Sequence, residues 1–210
     1  MNPYYDCDGI TIYHGDCREI LPHLPKVDLV LTDPPYGIGE SNERALSRGK
    51  LAVPRDYGHF DWDKEPIDSP LQKLVISKGK SVIWWGGNYY EFPPTKCWLV
   101  WDKMNTGDFA DCELAWTNLD SAVRMKHHLW NGMIRKGQEQ RFHPTQKPLE
   151  VIEWAILQAG NPQTILDPFM GSGTTLVAAK QLHRKAIGIE IEEKYCEIAV
   201  KRLAQGVLPF

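Results

Sequence analysis

Residues 163–175 of this 210-residue chain read QTILDPFMGSGTT, and this stretch decides the fold class. A short apolar run ends at Asp167 and leads into a glycine-containing turn, after which apolar residues recur at helical spacing. Glycines let the backbone approach a ligand closely, and the start of the following helix offers unpaired N–H groups. The stretch therefore predicts a strand, a ligand-binding turn and a helix whose N-cap is Thr174 or Thr175.

A further strand is predicted directly after that helix. Residues 186–190 read AIGIE, so this strand ends in the carboxylate of Glu190. In open parallel sheets, an acid at this place commonly binds ribose hydroxyls. A nicotinamide-dependent oxidoreductase would use the same arrangement, but the glycine spacing here departs from G-x-G-x-x-G. The unit predicts an α/β fold that binds a ribose-containing ligand at the carboxyl ends of its strands.

A second informative stretch lies near the amino terminus, where residues 27–36 read VDLVLTDPPY. The apolar run predicts a buried parallel strand, and Asp33 follows it directly. Proline has no backbone N–H and its φ is fixed near about −65°, so the carbonyls here are held in place as acceptors. Asp33 adds a second acceptor and Tyr36 an aromatic face. Such a corner suits a flat amino group whose lone pair must face an electrophile, a feature that an oxidoreductase does not explain.

Three motifs of the chain resemble those of the amino-group DNA methyltransferases that use S-adenosylmethionine. They are TDPPYG at 32–37, HPTQKP at 143–148 and DPFMGSGTT at 167–175, with a weaker match at 15–17. The DPPY motif precedes the glycine motif, as in the beta class of that family. The resemblance implies a Rossmann-like class I methyltransferase fold. Its mainly parallel, seven-stranded sheet would have a circularly permuted motif order, with the first strand beside the last.

The length and the alternation of strands with helices predict a single catalytic domain over residues 1–210. Strands at 97–103 and 112–116 are expected to pair antiparallel at one edge of the sheet. Two polar stretches without a sustained period, at about 37–66 and 119–141, are expected to be irregular insertions that contact DNA. Further helices are expected at 18–24, 68–77, 148–158 and 193–203.

The resemblance also implies a reaction and its residues. A methyl group would pass from S-adenosylmethionine to the exocyclic N6 of an adenine flipped out of the duplex, leaving S-adenosylhomocysteine. Asp33 and the Pro34 carbonyl would accept the two amino N–H groups, and Tyr36 would stack on the base. The implied catalytic residues are Asp33, Pro34, Pro35 and Tyr36.

The cofactor would lie along the glycine motif, with Glu190 on the ribose and Lys147 near the methionine carboxylate. The chemistry requires no metal and no covalent enzyme intermediate. The implied cofactor-binding residues are Asp16, Cys17, Thr145, Lys147, Asp167, Phe169, Gly171, Gly173, Thr174 and Glu190.

The formal net charge of −3 does not indicate a nucleic-acid binder, but the charge is unevenly distributed. Residues 41–55 carry four basic side chains against one acid, and residues 121–142 carry five against one. Such clusters are either solvated loops or phosphate-binding surfaces, and we expect the second. The residues expected to bind DNA are Arg44, Arg48, Lys50, Arg124, Lys126, Arg135 and Lys136.

Several alternatives remain open at this stage. An aspartate at the start of DPPY favours adenine, because relatives that act on cytosine N4 more often carry serine there. Methylation of cytosine N4, of RNA or of a protein glutamine is the alternative chemistry. A non-catalytic binding module is disfavoured, because every motif position needed for transfer is present.

The expected partner is double-stranded DNA, with no membrane association. The chain would act as a monomer or homodimer, in a restriction–modification system with a cognate endonuclease as a candidate partner. Five cysteines without a C-x-x-C pair indicate reduced thiols. We therefore expect a cytoplasmic protein, encoded by a bacterium or a phage.

Overall fold

The computed structural model describes residues 2–37, 66–104, 110–131, 134–135 and 146–204. At 131, 134 and 135 it describes the backbone alone.

Nine strands form one mixed sheet, and two short strands pair separately. The strands of the sheet are β1 (Tyr5–Cys7), β2 (Ile10–His14), β3 (Val27–Thr32), β4 (Gly79–Trp85), β5 (Trp98–Asp102), β6 (Cys112–Thr117), β7 (Arg124–His127), β10 (Thr164–Asp167) and β11 (Lys185–Glu190). The separate pair consists of β8 (Trp130–Asn131) and β9 (Ile134–Arg135).

The strand order of the sheet is β1-β2-β11-β10-β3-β4-β6-β5-β7. From β2 to β4 all neighbours are parallel, whereas β6 is antiparallel to both β4 and β5. Without the edge strands β1 and β7 this is the predicted seven-stranded methyltransferase sheet. The early strand β2 pairs in parallel with the last strand, β11, with Ile10 opposite Ala186. The predicted α/β class and permuted order are therefore confirmed.

Five α-helices flank the sheet in the described ranges. They are α1 (Cys17–Ile20), α2 (Ser69–Ser77), α3 (Leu149–Gln158), α4 (Thr174–Gln181) and α5 (Glu193–Ala204). A 3₁₀ turn, Leu21–His23, continues α1. Asp16 caps α1 by accepting the Arg18 N–H at 2.8 Å, and Asp68 caps α2 through the Leu71 N–H at 2.9 Å. No helix in these ranges is long and apolar enough to cross a lipid bilayer.

The start of α4 differs from the prediction. The N-cap is Gly173, at φ 79°, and Thr174 is already the first helical residue. A Cβ atom on Gly173 would lie 2.7 Å from the Cβ of Ala199 on α5, so the turn also needs glycine for space. The prediction of a threonine cap was wrong because α5 packs directly on this turn.

The core is divided by the sheet into two layers, since successive residues of a strand face opposite sides. Leu29, Leu31 and Ile83 face the layer that contains α3, α4 and α5. Val30 and Val82 face the layer that contains α1 and α2. Both layers are dominated by aliphatic and tryptophan side chains, so the sheet is covered on both sides and ligands must approach at its edge.

The segment at 119–141, expected to be irregular, contains β7 and the β8–β9 pair. β7 pairs in parallel with β5 as an edge strand, with Leu99 opposite Arg124. Three of its four side chains are exposed, so its sequence lacks the alternation that marks a strand. Residues 38–65, most of the other expected insertion, lie outside the described residues, as do 136–141.

Candidate active site

A cavity of about 400 Å³ lies at the carboxyl ends of β2, β3, β10 and β11. Parallel strands deliver the residues that follow them to the same edge of a sheet. Four acidic residues from the four strand ends line this cavity: Asp16, Asp33, Asp167 and Glu190. The structure thus brings residues of the DPPY corner and of the glycine turn to one space. A volume of this size suits a small-molecule ligand.

Glu190 holds the glycine turn at Met170–Gly173, which we call the glycine bend. Its Oε2 accepts the Gly171 N–H at 2.9 Å, and its Oε1 accepts the Glu192 N–H at 2.9 Å. Burial raises the pKa of Glu190 to about 7, despite these hydrogen bonds. The carboxylate is therefore partly protonated at neutral pH, and ligand hydroxyls that donate to it would favour its ionised form.

Asp167 is the last residue of β10 and precedes the glycine bend. Its Oδ1 accepts the Phe169 N–H at 3.1 Å and the Thr32 hydroxyl at 3.3 Å. Burial raises the pKa of Asp167 to about 6. Asp167 therefore ties the ends of β3 and β10 together beneath the cavity.

Arg202 on α5 also supports the glycine bend, and nothing in the sequence singled it out. Its side chain is buried, and its Nη1 donates to the Ser172 carbonyl at 2.8 Å and to the Thr174 hydroxyl at 3.0 Å. Arg202 lies on the buried face of an amphipathic helix, where the sequence pattern predicts only packing against the core.

The DPPY corner is closely hydrogen-bonded. The Tyr36 hydroxyl donates to Oδ1 of Asp33, and the Tyr90 hydroxyl donates to the Pro35 carbonyl. Burial raises the pKa of Asp33 above its usual value, although the nearby Lys147 ammonium opposes that shift. Among the described residues, no donor is found on the Pro34 carbonyl.

The ring of Tyr36 is enclosed by two residues that follow β4. Tyr89 stacks on it with ring centroids 4.8 Å apart and an interplanar angle of 16°. Gly86 lies against it so closely, at φ 67°, that a Cβ atom there would be 2.0 Å from the ring. Tyr89 is 45% exposed, so the stacking face of Tyr36 is covered by a side chain at the rim of the site.

Lys147 lies next to Asp33. Its Nζ is 2.5 Å from Oδ2 of Asp33 and 3.1 Å from Oε2 of Glu113. Lys147 also lines the cavity, but in this structure its ammonium contacts the DPPY corner. Its expected place at the methionine carboxylate stays a prediction. Glu113 was missed because its role depends on contacts with Lys103 and Lys147, which come from other segments of the chain.

Four of the remaining residues that were expected to bind the cofactor line the same cavity, whereas Gly173 faces α5. Phe169, Gly171 and Thr174 line it together with Cys17. Burial raises the pKa of the Cys17 thiol to about 12, so this side chain is neutral at physiological pH. Thr145 lies outside the described residues.

The residues expected to bind DNA are only partly described. Arg124 is exposed on the edge strand β7. Lys126 on the same strand forms an ion pair with Glu150 at 2.6 Å. Only the backbone of Arg135 is described, and Arg44, Arg48, Lys50 and Lys136 lie outside the described residues. Trp130, on β8, is buried in the core.

The sheet order and the site define a class I methyltransferase, and comparisons with known proteins identify the family. The family model of N6/N4 methyltransferases, described as DNA methylase, matches residues 93–201. The type II methyltransferase M.ScaI of Streptomyces caespitosus is 30% identical over 96% of this chain and 83% of its own length. M2.LlaDCHI of Lactococcus lactis subsp. cremoris is 30% identical over 97% and 93%. The chain therefore belongs to the N6/N4 DNA methylase family, whose members methylate amino groups of DNA.

Solved structures agree with this assignment. The complex of M1.HpyAVI with SAM, S-adenosylmethionine, matches with a TM-score of 0.58 and 25% identity, covering 92% of this chain and 99% of that one. The cytosine-N4-specific PvuII DNA methyltransferase matches with a TM-score of 0.63 but 17% identity, and so supports the fold alone.

Proposed function

We propose that this DNA methyltransferase uses S-adenosylmethionine to methylate the exocyclic N6 of an adenine flipped out of double-stranded DNA. One observation carries the proposal: the DPPY corner and the glycine bend, remote in sequence, border a single cavity. Adenine, as distinct from cytosine, is favoured by the resemblance argument that an aspartate begins the DPPY motif. The complex of M1.HpyAVI with SAM supports the choice of cofactor.

The residues around the glycine bend fit this cofactor. Glu190 would accept the ribose hydroxyls, since it is a buried carboxylate with a raised pKa at the end of β11. Gly171 lines the cavity, and its lack of a side chain would allow the methionine portion to approach the backbone closely. When bound, the cofactor supplies a methyl group on a sulfonium, which is the electrophile of the reaction.

Asp33 and Pro34 would position the nucleophile. The amino group of adenine is weakly nucleophilic because its lone pair is delocalised into the ring. By accepting the two N–H groups, the Asp33 carboxylate and the Pro34 carbonyl would fix the nitrogen and favour a more tetrahedral geometry. Correct orientation can contribute on the order of 7–11 kcal/mol to such a reaction. The nitrogen loses one proton when it gains the methyl group, and we assign Asp33 to receive it.

Tyr36 would bind the extruded base by stacking, worth about 1–3 kcal/mol. In the structure its face is covered by Tyr89, whose ring is 45% exposed. We assign Tyr89 as the side chain that the base displaces towards solvent. The Tyr36 hydroxyl would leave Oδ1 of Asp33 in the same movement, which frees that oxygen for the amino group.

The two segments at 37–66 and 119–141 are proposed to contact DNA around the target base. Their basic residues would bind phosphates. Sequencing the sites that the protein modifies in a random DNA pool would determine which bases flank the target. A DNA substrate is consistent with action in the cytoplasm of a bacterium or a phage-infected cell. Mass measurement with and without DNA distinguishes a monomer from a homodimer. A nuclease gene next to the gene of this protein would identify a cognate restriction endonuclease.

The deciding experiment identifies the modified base. Purified protein is incubated with duplex DNA and S-adenosylmethionine, and the DNA is digested to nucleosides for mass spectrometry. N6-methyladenine is the expected product. Detection of N4-methylcytosine would instead show that the target base is cytosine. Asp33→Ala should bind the cofactor but transfer nothing, and Asp120→Ala, at an exposed ion pair with Lys96, is the matched control. Transfer to RNA or protein but not to DNA would contradict the proposal.

A further inference from the structure

Four side chains of alternating charge form a row that ends at the DPPY corner. Lys103 follows β5, Glu113 lies on β6, Lys147 precedes α3 and Asp33 follows β3. Lys103 is 2.6 Å from Glu113, Glu113 is 3.1 Å from Lys147, and Lys147 is 2.5 Å from Asp33. The charge row therefore joins the β5–β6 pair of strands to the residue that we assign to the target amino group.

Burial makes these contacts consequential. The exposed fractions of the four side chains are 19% for Lys103, 25% for Glu113, 5% for Lys147 and 25% for Asp33. Burying a charge is costly unless another charge compensates it. Burial alone would lower the pKa of Lys147, but Asp33 and Glu113 together raise it above its usual value. Lys147 is thus an ammonium shared by two carboxylates.

The two carboxylates compete for that ammonium on unequal terms. Asp33 is the closer of the two, and Glu113 is also engaged by Lys103 through its other oxygen. Without the charge of Glu113, Lys147 would interact with Asp33 alone and draw electron density from the oxygens that must accept the amino group. A carboxylate that is fully neutralised by one ammonium is a weaker acceptor for a further donor.

We propose that Glu113 is a positioning residue that shares the Lys147 ammonium with Asp33 and so keeps the Asp33 carboxylate available to the target amino group. This inference rests on the proposed function of Asp33. Lys147 contacts Oδ2 of Asp33, and Oδ1 becomes the acceptor once the Tyr36 hydroxyl leaves it. Glu113 does not itself touch the substrate.

The primary test is Glu113→Gln, which keeps the size of the side chain and removes its charge. We expect kcat to fall roughly tenfold to a hundredfold, the range that misplacement of a reacting group produces. The affinities for S-adenosylhomocysteine and for duplex DNA should be unchanged. A kcat equal to that of the wild type would overturn the proposal. A wild-type protein that methylates no DNA would instead refute the proposed function, so the two failures are distinguishable.

Lys103→Met is the matched control. It breaks the same ion pair between β5 and β6 but leaves the charge of Glu113 on Lys147. If Glu113 mattered only for that pair, both variants would lose the same activity, and the proposal would be wrong. We expect Lys103→Met to retain most of the activity.

The pH profile of kcat supplies a readout that a purely structural role would not change. The charged and titratable groups around Asp33 are Lys147, Glu113, Tyr36 and Asp167. Removing the Glu113 anion leaves Lys147 to Asp33 alone and lowers the pKa of Asp33. The acidic limb of the profile should therefore move to lower pH even as the plateau falls. An unmoved limb together with a lower plateau would contradict the proposal.

A second variant covers the case in which Glu113→Gln does not fold because Lys103, which is partly buried, then loses its carboxylate partner. The double variant Glu113→Gln with Lys103→Met restores the charge balance of the row. It should fold and still show the reduced kcat and the shifted limb. A double variant with wild-type kcat would overturn the proposal.

Discussion

Arg202 on the last helix donates to the carbonyl oxygen of Ser172 in the glycine bend, over a distance of 2.8 Å. The same guanidinium nitrogen also contacts the hydroxyls of Ser172 and Thr174. A helix packed behind the cofactor cavity thus fixes the shape of the bend that borders it.

Replacing this guanidinium should loosen the bend. Arg202→Met keeps most of the apolar stem but leaves the Ser172 carbonyl without its charged donor. Hydrogen bonds to a charged group contribute about 1.5–3 kcal/mol, and we expect a loss of unfolding free energy in this range. Affinity for S-adenosylhomocysteine should fall as well, measured by calorimetry. The neighbouring, exposed Lys201 provides the control: Lys201→Met with an equal loss would show that charge on α5, not this contact, matters.

Glu190 should make both stability and cofactor affinity depend on pH. Burial raises its pKa from 4.5 to about 7, so the folded chain retains a proton that the unfolded chain has lost. The contribution of Glu190 to stability is therefore greatest at low pH and declines as pH rises from about 4.5 to 7. Ribose hydroxyls donate best to the ionised carboxylate, so cofactor affinity should rise over the upper part of the same window. Glu190→Gln should flatten both dependences, and curves with wild-type slopes would contradict this assignment.

Gly86 should be essential for the position of the Tyr36 ring. Gly86→Ala introduces a Cβ atom into the volume of the ring and also strains a backbone at φ 67°. Gly160→Ala is the matched control, because Gly160 has a φ of 84° but open space around its Cβ position. Each variant should lose about 1–3 kcal/mol of stability from backbone strain. Only Gly86→Ala should also lose kcat, and equal kinetics for the two variants would disprove the packing argument.

Two basic residues of β7 should differ in their contributions to DNA binding. Arg124 is exposed, whereas Lys126 is already paired with Glu150. Arg124→Gln should weaken binding and reduce the slope of log affinity against log salt by about 0.9 for one lost phosphate contact. Lys126→Gln should change the slope less, because the Lys126 ammonium of the wild type must leave the Glu150 carboxylate before it can bind a phosphate. Fluorescence anisotropy at several salt concentrations measures both, and identical slopes would count against the difference.

The parts of the fold that the sequence predicts are those encoded by neighbouring residues. The unit from β10 to β11 combines an apolar run, glycines and a helical period within one supersecondary motif. The α/β class, and the edge of the sheet at which a ligand binds, are therefore predicted from this pattern alone. The DPPY corner is equally local. Their convergence follows from the rule that parallel strands end at the same edge, and the sheet order bears this out.

The parts that sequence reasoning missed depend on contacts between distant segments. Glu113 and Arg202 carry no local signal, because each acquires its role only when β6 or α5 packs beside the cavity. β7 was missed because an edge strand with exposed side chains shows no hydrophobic period. Lys147 was noticed through its motif, but its ion pair with Asp33 could not be read from the order of the residues.

The order of strands in the sheet also has a consequence for biosynthesis. β2 and β3 are consecutive in the chain, yet β11 and β10 lie between them. A nascent polypeptide that ends before Thr164 therefore lacks the middle of its own sheet. Contacts across such long separations form slowly, since large loops must first be closed. On the ribosome, the cavity at the ends of these strands can therefore form only after β11 has been synthesised.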